Sequence, residues 1–248
     1  MAVKELELIN GIWTLKDNTI SDTNKFTFTQ ARTVGLTTPE YGWTWLNSGS
    51  LTSANENTTS GSSLHMIHGA SNTDWTPSAQ TAPCRYYTIG YNGYLEIIAL
   101  CYSNGDSDYE QMGIVLFDDA ARGTYAKFGV GHTNALVTTG IEGRIGVGGL
   151  VQTSITTTER NNGVWLRMRA FDDQIALFYN KTFSSTPPTS WTNLTSDTLS
   201  IRTKNIGFGQ MLQTVNTAGN LAGGCKWWQW STTPLYDYNG YPTFQATQ

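Results

Sequence analysis

The chain has 248 residues, a net charge of −4, 14% charged residues and 12% aromatic ones. These values argue against a basic, phosphate-tracking surface and against disorder, which goes with few aromatics and many charges; no apolar run is long enough for a membrane-spanning helix. Low charge with many Trp, Tyr, Thr, Ser and Gly favours strands and turns.

Residues 1–21 read as an extended N-terminal arm, with a short strand at Glu5–Leu8 and Trp13 as an aromatic anchor. The first residues lack the apolar core of a signal peptide, so synthesis in a cytoplasm is expected. Strands are predicted at Lys25–Thr29, Tyr41–Leu46 and Leu64–His68, separated by polar loops at 47–63 and 69–83. A denser block follows at Tyr86–Ile89, Tyr94–Tyr102, Gln111–Phe117 and Thr124–Val130. Two of these, around Ile97 and Ile114, are apolar on both faces and belong in the middle of a covered sheet. The stretch Arg144–Val151 reads as one strand, its glycines giving room for close packing. In Val164–Arg169, Val164, Leu166 and Met168 alternate with Trp165, Arg167 and Arg169. That period of two marks a strand with one face in a core. A turn at Asp172-Asp173 leads to Ile175–Tyr179, and Asn205–Leu212 and Gly224–Ser231 complete the set. Cys84, Cys101 and Cys225 are odd in number and widely spaced, and read as reduced, buried thiols. The expected architecture is all-β: an antiparallel two-sheet jelly-roll sandwich over 22–233, the arm before it, and a tail at 234–248 packed on it.

The order of Gly93-Tyr94-Leu95-Glu96, Tyr109-Glu110-Gln111-Met112-Gly113-Ile114-Val115-Leu116, Tyr125-Ala126-Lys127-Phe128-Gly129-Val130, Val164 to Arg169, Phe178-Tyr179, Trp191 and Ile206-Gly207-Phe208-Gly209 resembles the concanavalin A-like lectin/glucanase jelly roll, particularly its small bacterial branch. The resemblance spans roughly residues 80–231. It implies one convex and one concave antiparallel sheet, with glycans bound on the concave face or its rim loops in many members. Similar jelly rolls also serve as heads of viral fibres and as capsid-surface proteins.

Glycosidases of this fold use paired carboxylates on one strand, commonly Glu-x-Asp-x-x-Glu, because retention needs an acid and a nucleophile about 5–5.5 Å apart. No such motif occurs. Glu96 stands alone among apolar residues, Glu110 is followed by Gln111, and each reads as a solvated or hydrogen-bonded edge carboxylate. Neither a Gly-x-Ser-x-Gly elbow nor a His-Glu-x-x-His zinc site is present. The expectation is therefore not an enzyme. For binding, Trp228 and Trp230 share a strand face and Trp227 takes the other; with Trp43 and Trp45 they form a candidate glycan platform. Asp106 and Asp108, in an Asn-Gly-Asp-Ser-Asp loop, are candidate Ca²⁺ ligands, although turn chemistry alone explains them; no other cofactor is expected.

Together these readings point to a virion-surface structural protein, a bacteriophage capsid decoration or a tail/fibre component with a lectin-like domain for host glycans. Its arm would dock on other virion proteins or symmetry mates. The localisation expected is the virion, otherwise the cytoplasm, with no nucleic-acid partner and no membrane insertion. The alternatives are a bacterial carbohydrate-binding module or lectin, and a glycoside hydrolase or lyase with an unrecognised site.

Overall fold

The computed structural model describes residues 3–9, 12–18, 25–26, 32–33, 36, 43–56, 64–68, 73–104, 110–133, 138–214 and 221–232. Strands β1 (Val3–Ile9) and β2 (Ile12–Asn18) pair antiparallel as a two-stranded sheet of their own, Val3 opposite Asn18 and Ile9 opposite Ile12. The stretch read as an arm thus holds a hairpin where one short strand was expected. The remaining described strands are β3 (Lys25–Phe26), β4 (Arg32–Thr33), β5 (Thr44–Leu46), β6 (Leu51–Glu56), β7 (Leu64–His68), β8 (Cys84–Gly90), β9 (Tyr94–Ser103), β10 (Gln111–Asp118), β11 (Tyr125–Thr133), β12 (Thr138–Ile145), β13 (Val151–Ser154), β14 (Val164–Phe171), β15 (Gln174–Asn180), β16 (Thr192–Thr198), β17 (Asn205–Gln213) and β18 (Ala222–Ser231), with a 3-10 turn at Ser48–Ser50 and a short α-helix, α1 (Thr157–Asn162).

They form an antiparallel two-sheet jelly-roll sandwich. One sheet has seven strands in the order β13-β12-β11-β10-β17-β8-β5. The other has nine, β16-β15-β14-β9-β18-β7-β6-β4, with β3 paired to β18. Alternation along the central strands explains the layering. Leu95, Ile97 and Ala99 on β9 and Leu166 and Met168 on β14 point inward, and meet Met112, Ile114 and Leu116 on β10 and Phe128 on β11. All three cysteines are free and buried.

Several local readings change. The stretch Arg144–Val151 is not one strand: β12 ends at Ile145 and the chain reverses through Gly146, whose φ of 57° is left-handed and favours glycine. The helix α1 was not foreseen, although its signature stood in the sequence. Thr156 Oγ1 accepts from Glu159 N at 3.1 Å and the Glu159 carboxylate accepts from Thr156 N at 2.6 Å, a capping box. Strand β16 also lies where no strand was predicted, and β6 lies within the stretch 47–63 read as a loop.

Part of each outer face is also covered. On the seven-stranded sheet, Trp75, Tyr86, Val115, Phe117, Tyr125 and Met211 form a second apolar cluster. Beside it the Lys127 ammonium reaches Asp74 and Glu142 at 3.5 Å each and Gln213 at 3.2 Å. A Cβ on Gly113 would collide with the Phe128 carbonyl, so only glycine lets β10 and β11 approach so closely. On the nine-stranded sheet, Ile98, Leu100 and Trp165 pack under Trp191 and Trp227. There Glu96 is fully buried, hydrogen-bonded by Arg167 and by Tyr94 at 2.9 Å, with Arg169 at 3.5 Å. Glu96 is therefore an interior ion-pair partner on a central strand, which corrects its reading as an edge carboxylate. No helix among the described residues is long and apolar enough to cross a membrane.

Candidate ligand-binding site: an aromatic mouth between the sheets

Strand β5 is the edge of the seven-stranded sheet, and its register sets the site. Trp45 lies opposite Arg85 on β8, and Arg85 lies opposite Gln210 on β17. One row along, Tyr87 lies opposite Phe208. Directly opposed residues on antiparallel strands share a face, so these side chains all point between the sheets. Trp43, two residues before Trp45, joins them: its ring centroid is 4.1 Å from that of Tyr87, and the Arg85 guanidinium lies 4.9 Å from the Trp43 ring. From the facing sheet come Trp228 and Trp230, opposite the core residues Ala99 and Ile97 of β9. Trp228 is 5.6 Å from Trp43, and Trp230 is 5.0 Å from Phe208 and 5.7 Å from Tyr87.

A bulge gives β18 this arrangement. The register shifts between Cys225 and Trp227. The extra residue lets Cys225 and Trp228 both face inward, which strict alternation forbids. Trp227 consequently sits on the outer face, edge-on to Trp165 with centroids 5.9 Å apart.

The five tryptophans of the expected platform thus separate. Four, Trp43, Trp45, Trp228 and Trp230, converge between the sheets; Trp227 alone lies outside. Trp43 and Trp228 are 1% and 0% exposed and offer no open ring to solvent. Both pack inside the sandwich, Trp43 against Tyr87 and Trp228. By contrast Trp45, Tyr87, Ile89 and Trp230 face inward yet are only half-buried. Inward residues that still meet water mark an opening between the sheets, here at the β5 edge.

The polar lining is sparse. Gln210 is fully buried, and neither its amide nitrogen nor its oxygen has a hydrogen-bond partner. The indole Nε1 atoms of Trp228 and Trp230 are buried in the same state. Burial pushes the Tyr87 phenol up to about 12, against the opposing pull of Arg85 and Trp43. An apolar, aromatic lining with a few convergent polar groups is the usual make-up of a small-ligand site. Arg85, Tyr87, Phe208 and Gln210 were missed in the sequence as site residues. The signal was there for Gln210, the one polar member of the inward series Ile206, Phe208, Gln210, Leu212.

Trp13 lies on β2, within the hairpin. Asp106 and Asp108, the calcium candidates, and the tail at 234–248 lie outside the described residues. Among the described residues no group of three His, Cys, Asp or Glu side chains is placed to hold a metal ion.

No protein-family model and no curated protein matches the chain. Solved structures share its fold. One is a functionally unknown protein from Saccharomyces cerevisiae, at a TM-score of 0.60 and 14% identity, covering 78% of this chain and 97% of that one. Another is the GH43 protein BlXynB from Bacillus licheniformis, at 0.60 and 11%, covering 89% of this chain and 41% of that one. A third is the Bacteroides ovatus xyloglucan PUL GH43B, at 0.58 and 12%, covering 85% and 39%. The chain spans about two fifths of the length of these GH43 proteins. At such identities the likeness is one of fold. It supports the β-sandwich side of the concanavalin-like resemblance. It also corrects the expectation that the chain is not an enzyme, which rested on one missing carboxylate motif. The fold is carried by GH43 glycoside hydrolases, so that missing motif does not set the chain apart from enzymes.

Proposed function

We propose that this chain binds carbohydrate, with the aromatic mouth between its sheets as the site. The observation that carries the reading is that the half-buried rings of Trp45, Tyr87 and Trp230 meet water while lying over the buried Trp43, Trp228 and Phe208. Sugar rings present apolar C–H faces that stack on aromatic rings, and their hydroxyls need the few polar groups such a mouth supplies. The GH43 likenesses support the reading at the level of fold. A glycan panel probed with the full chain tests it, with Trp45→Ala and Trp230→Ala as controls. Both residues are half-buried, so the fold should tolerate their loss. Binding to at least one glycan, weakened about tenfold by either substitution, is expected for loss of roughly 1.4 kcal/mol of stacking. A panel with no binding, or binding indifferent to both substitutions, refutes the reading.

A separate proposal concerns residues 1–21. We propose that they attach the sandwich to a partner, as in a virion-surface protein docking on other virion proteins or on symmetry mates. The support is that β1 and β2 pair with each other and with no other described strand, and a lone two-stranded hairpin is marginal in water. Deleting residues 1–20 should leave a folded sandwich and abolish incorporation into the particle. Full incorporation of the shortened chain would sink the proposal.

A further inference from the structure

Cys101 and Cys225 have no part in the mouth, yet the fold sets them side by side. Cys101 lies on β9 and Cys225 on β18, neighbouring strands in the middle of the nine-stranded sheet. They are direct partners in the antiparallel register, just ahead of the bulge that follows Cys225. Both side chains point into the core between the sheets, fully buried, and both are free thiols. Cys84 belongs to the apolar cluster on the outer face of the other sheet, apart from this pair. Directly opposed residues on antiparallel strands have Cα atoms about 4.5 or 5.5 Å apart, inside the range of about 4.4–6.8 Å that a disulfide spans. Their side chains leave the sheet on the same face. The two thiols are already in hydrogen-bond contact: burial first, and then the neighbouring Cys225, hold the proton on Cys101. The Cys225 thiol also donates to the Trp227 carbonyl at 2.7 Å.

We propose that Cys101 and Cys225 are a site of oxidative modification, closing into a disulfide that staples β9 to β18. The oxidant is a small disulfide such as oxidised glutathione. One cysteine thiolate attacks it and releases one glutathione thiolate; the second cysteine thiolate then displaces the other. Two protein thiols become one S–S bond, one glutathione disulfide becomes two thiols, and the two protons pass from the cysteines to the glutathione. In the closed fold the reaction is slow, because both sulfurs are shielded and burial keeps Cys101 in its unreactive thiol form. It proceeds while the strands are coming together. A reducing compartment leaves the thiols as they are, and an oxidising one closes them. The bond encloses β10 to β17 in chain order, and in the chain-entropy account a loop that long gains the most from being closed.

The test is refolding of the full chain from guanidinium in two glutathione buffers, one oxidising and one reducing. In the oxidising buffer the thiols that titrate after unfolding should fall from three to one, and peptide mapping should join Cys101 to Cys225. The oxidised chain should keep its β-sheet circular dichroism, and its thermal midpoint should lie at least about 4 °C above that of the reduced chain. Cys84→Ser should leave the cross-link unchanged, and Cys225→Ala should abolish it. Three thiols remaining in the oxidising buffer overturn the proposal. So does a bond to Cys84, or glutathione retained on either cysteine of the pair. A cross-linked chain whose midpoint is no higher than that of the reduced one overturns it as well, since the native register would then not accept the bond.

Discussion

Replacing Lys127 by methionine tests how the outer face of the seven-stranded sheet tolerates buried charge. Lys127 is 2% exposed, and its ammonium sits between Glu142 and Asp74 at 3.5 Å each, with the Gln213 carbonyl oxygen at 3.2 Å. Methionine keeps most of the apolar stem, so little packing is lost. What changes is the state of the two acids. Asp74 is part-exposed, its side chain at 24%, and can turn to water. Glu142 cannot: it is fully buried, one oxygen accepts from Gln152 Nε2 at 2.8 Å, and the other makes no hydrogen bond at all. Removing one partner of a buried pair costs about 3–5 kcal/mol, because the remaining charge is left uncompensated. At about 2–4 °C per kcal/mol for a domain of this length, the midpoint of Lys127→Met should fall by about 6–20 °C.

The informative measurement is a double-mutant cycle followed by thermal unfolding in circular dichroism. Glu142→Gln alone leaves Lys127 with Asp74 and Gln213, and should cost less, about 1–3 kcal/mol. In the double variant the buried charge is gone, and stability should recover beyond the sum of the single losses by at least about 1.5 kcal/mol. A Lys127→Met chain within about 1 kcal/mol of the parent, or a double variant that simply adds the two losses, would refute the reasoning.

Three further outcomes follow from the same structure. Gln210→Leu should stabilise the ligand-free chain by about 1–3 kcal/mol, since an unpaired buried amide is replaced by an apolar group; the urea midpoint should rise with an unchanged slope, and a lower midpoint would show that the amide has a partner. Burial pushes Tyr87 and Tyr125 up to about 12. For groups raised in the fold, stability is complete below the unfolded value near 10 and is lost as pH climbs through the folded one. Alkaline spectrophotometric titration should therefore show a late phase coinciding with unfolding; a single phase near pH 10 for every tyrosine would contradict this. Asp118 behaves oppositely: burial raises its carboxyl, but the Lys204 hydrogen bond at 2.6 Å and the backbone N–H groups of Ala120 and Ala121 outweigh it, and the net shift is downward. Its contribution is present above the unfolded value of about 3.9 and disappears as pH falls through the lower folded one. Asp118→Asn should flatten that part of the acid-unfolding curve, and an unchanged curve would count against the pairing.

What could be read in the sequence, and what could not, divides along a physical line. Period-two alternation is local, and it located β9, β10, β14 and β15 and placed Trp228 and Trp230 on one face of β18. Whether a face is inside or outside is not local. In Trp165, Arg167 and Arg169 the alternate face looks solvent-bound, yet Trp191, Phe178 and Glu96 cover it: the Arg167 guanidinium lies 5.3 Å from the Trp191 ring, and Arg169 is 1% exposed. Pairing among β9, β14 and β15 brings Glu96, Arg167, Arg169 and Phe178 together, and the segment before β16 adds Trp191. The mouth shows this most sharply. Trp45, Arg85 and Gln210 are far apart in the chain and become neighbours through two strand pairings, so no window of sequence contains the site. Each member nevertheless leaves a local trace. Arg85 begins an inward series with Tyr87 and Ile89, and Gln210 interrupts one of Ile206, Phe208 and Leu212. A long polar side chain at an inward position has to be satisfied by a distant residue or a ligand, since its own strand supplies neither. Gln210 is such a break, fully buried and without a hydrogen-bond partner, with tryptophans at inward positions on both sheets, and that is the argument for a site.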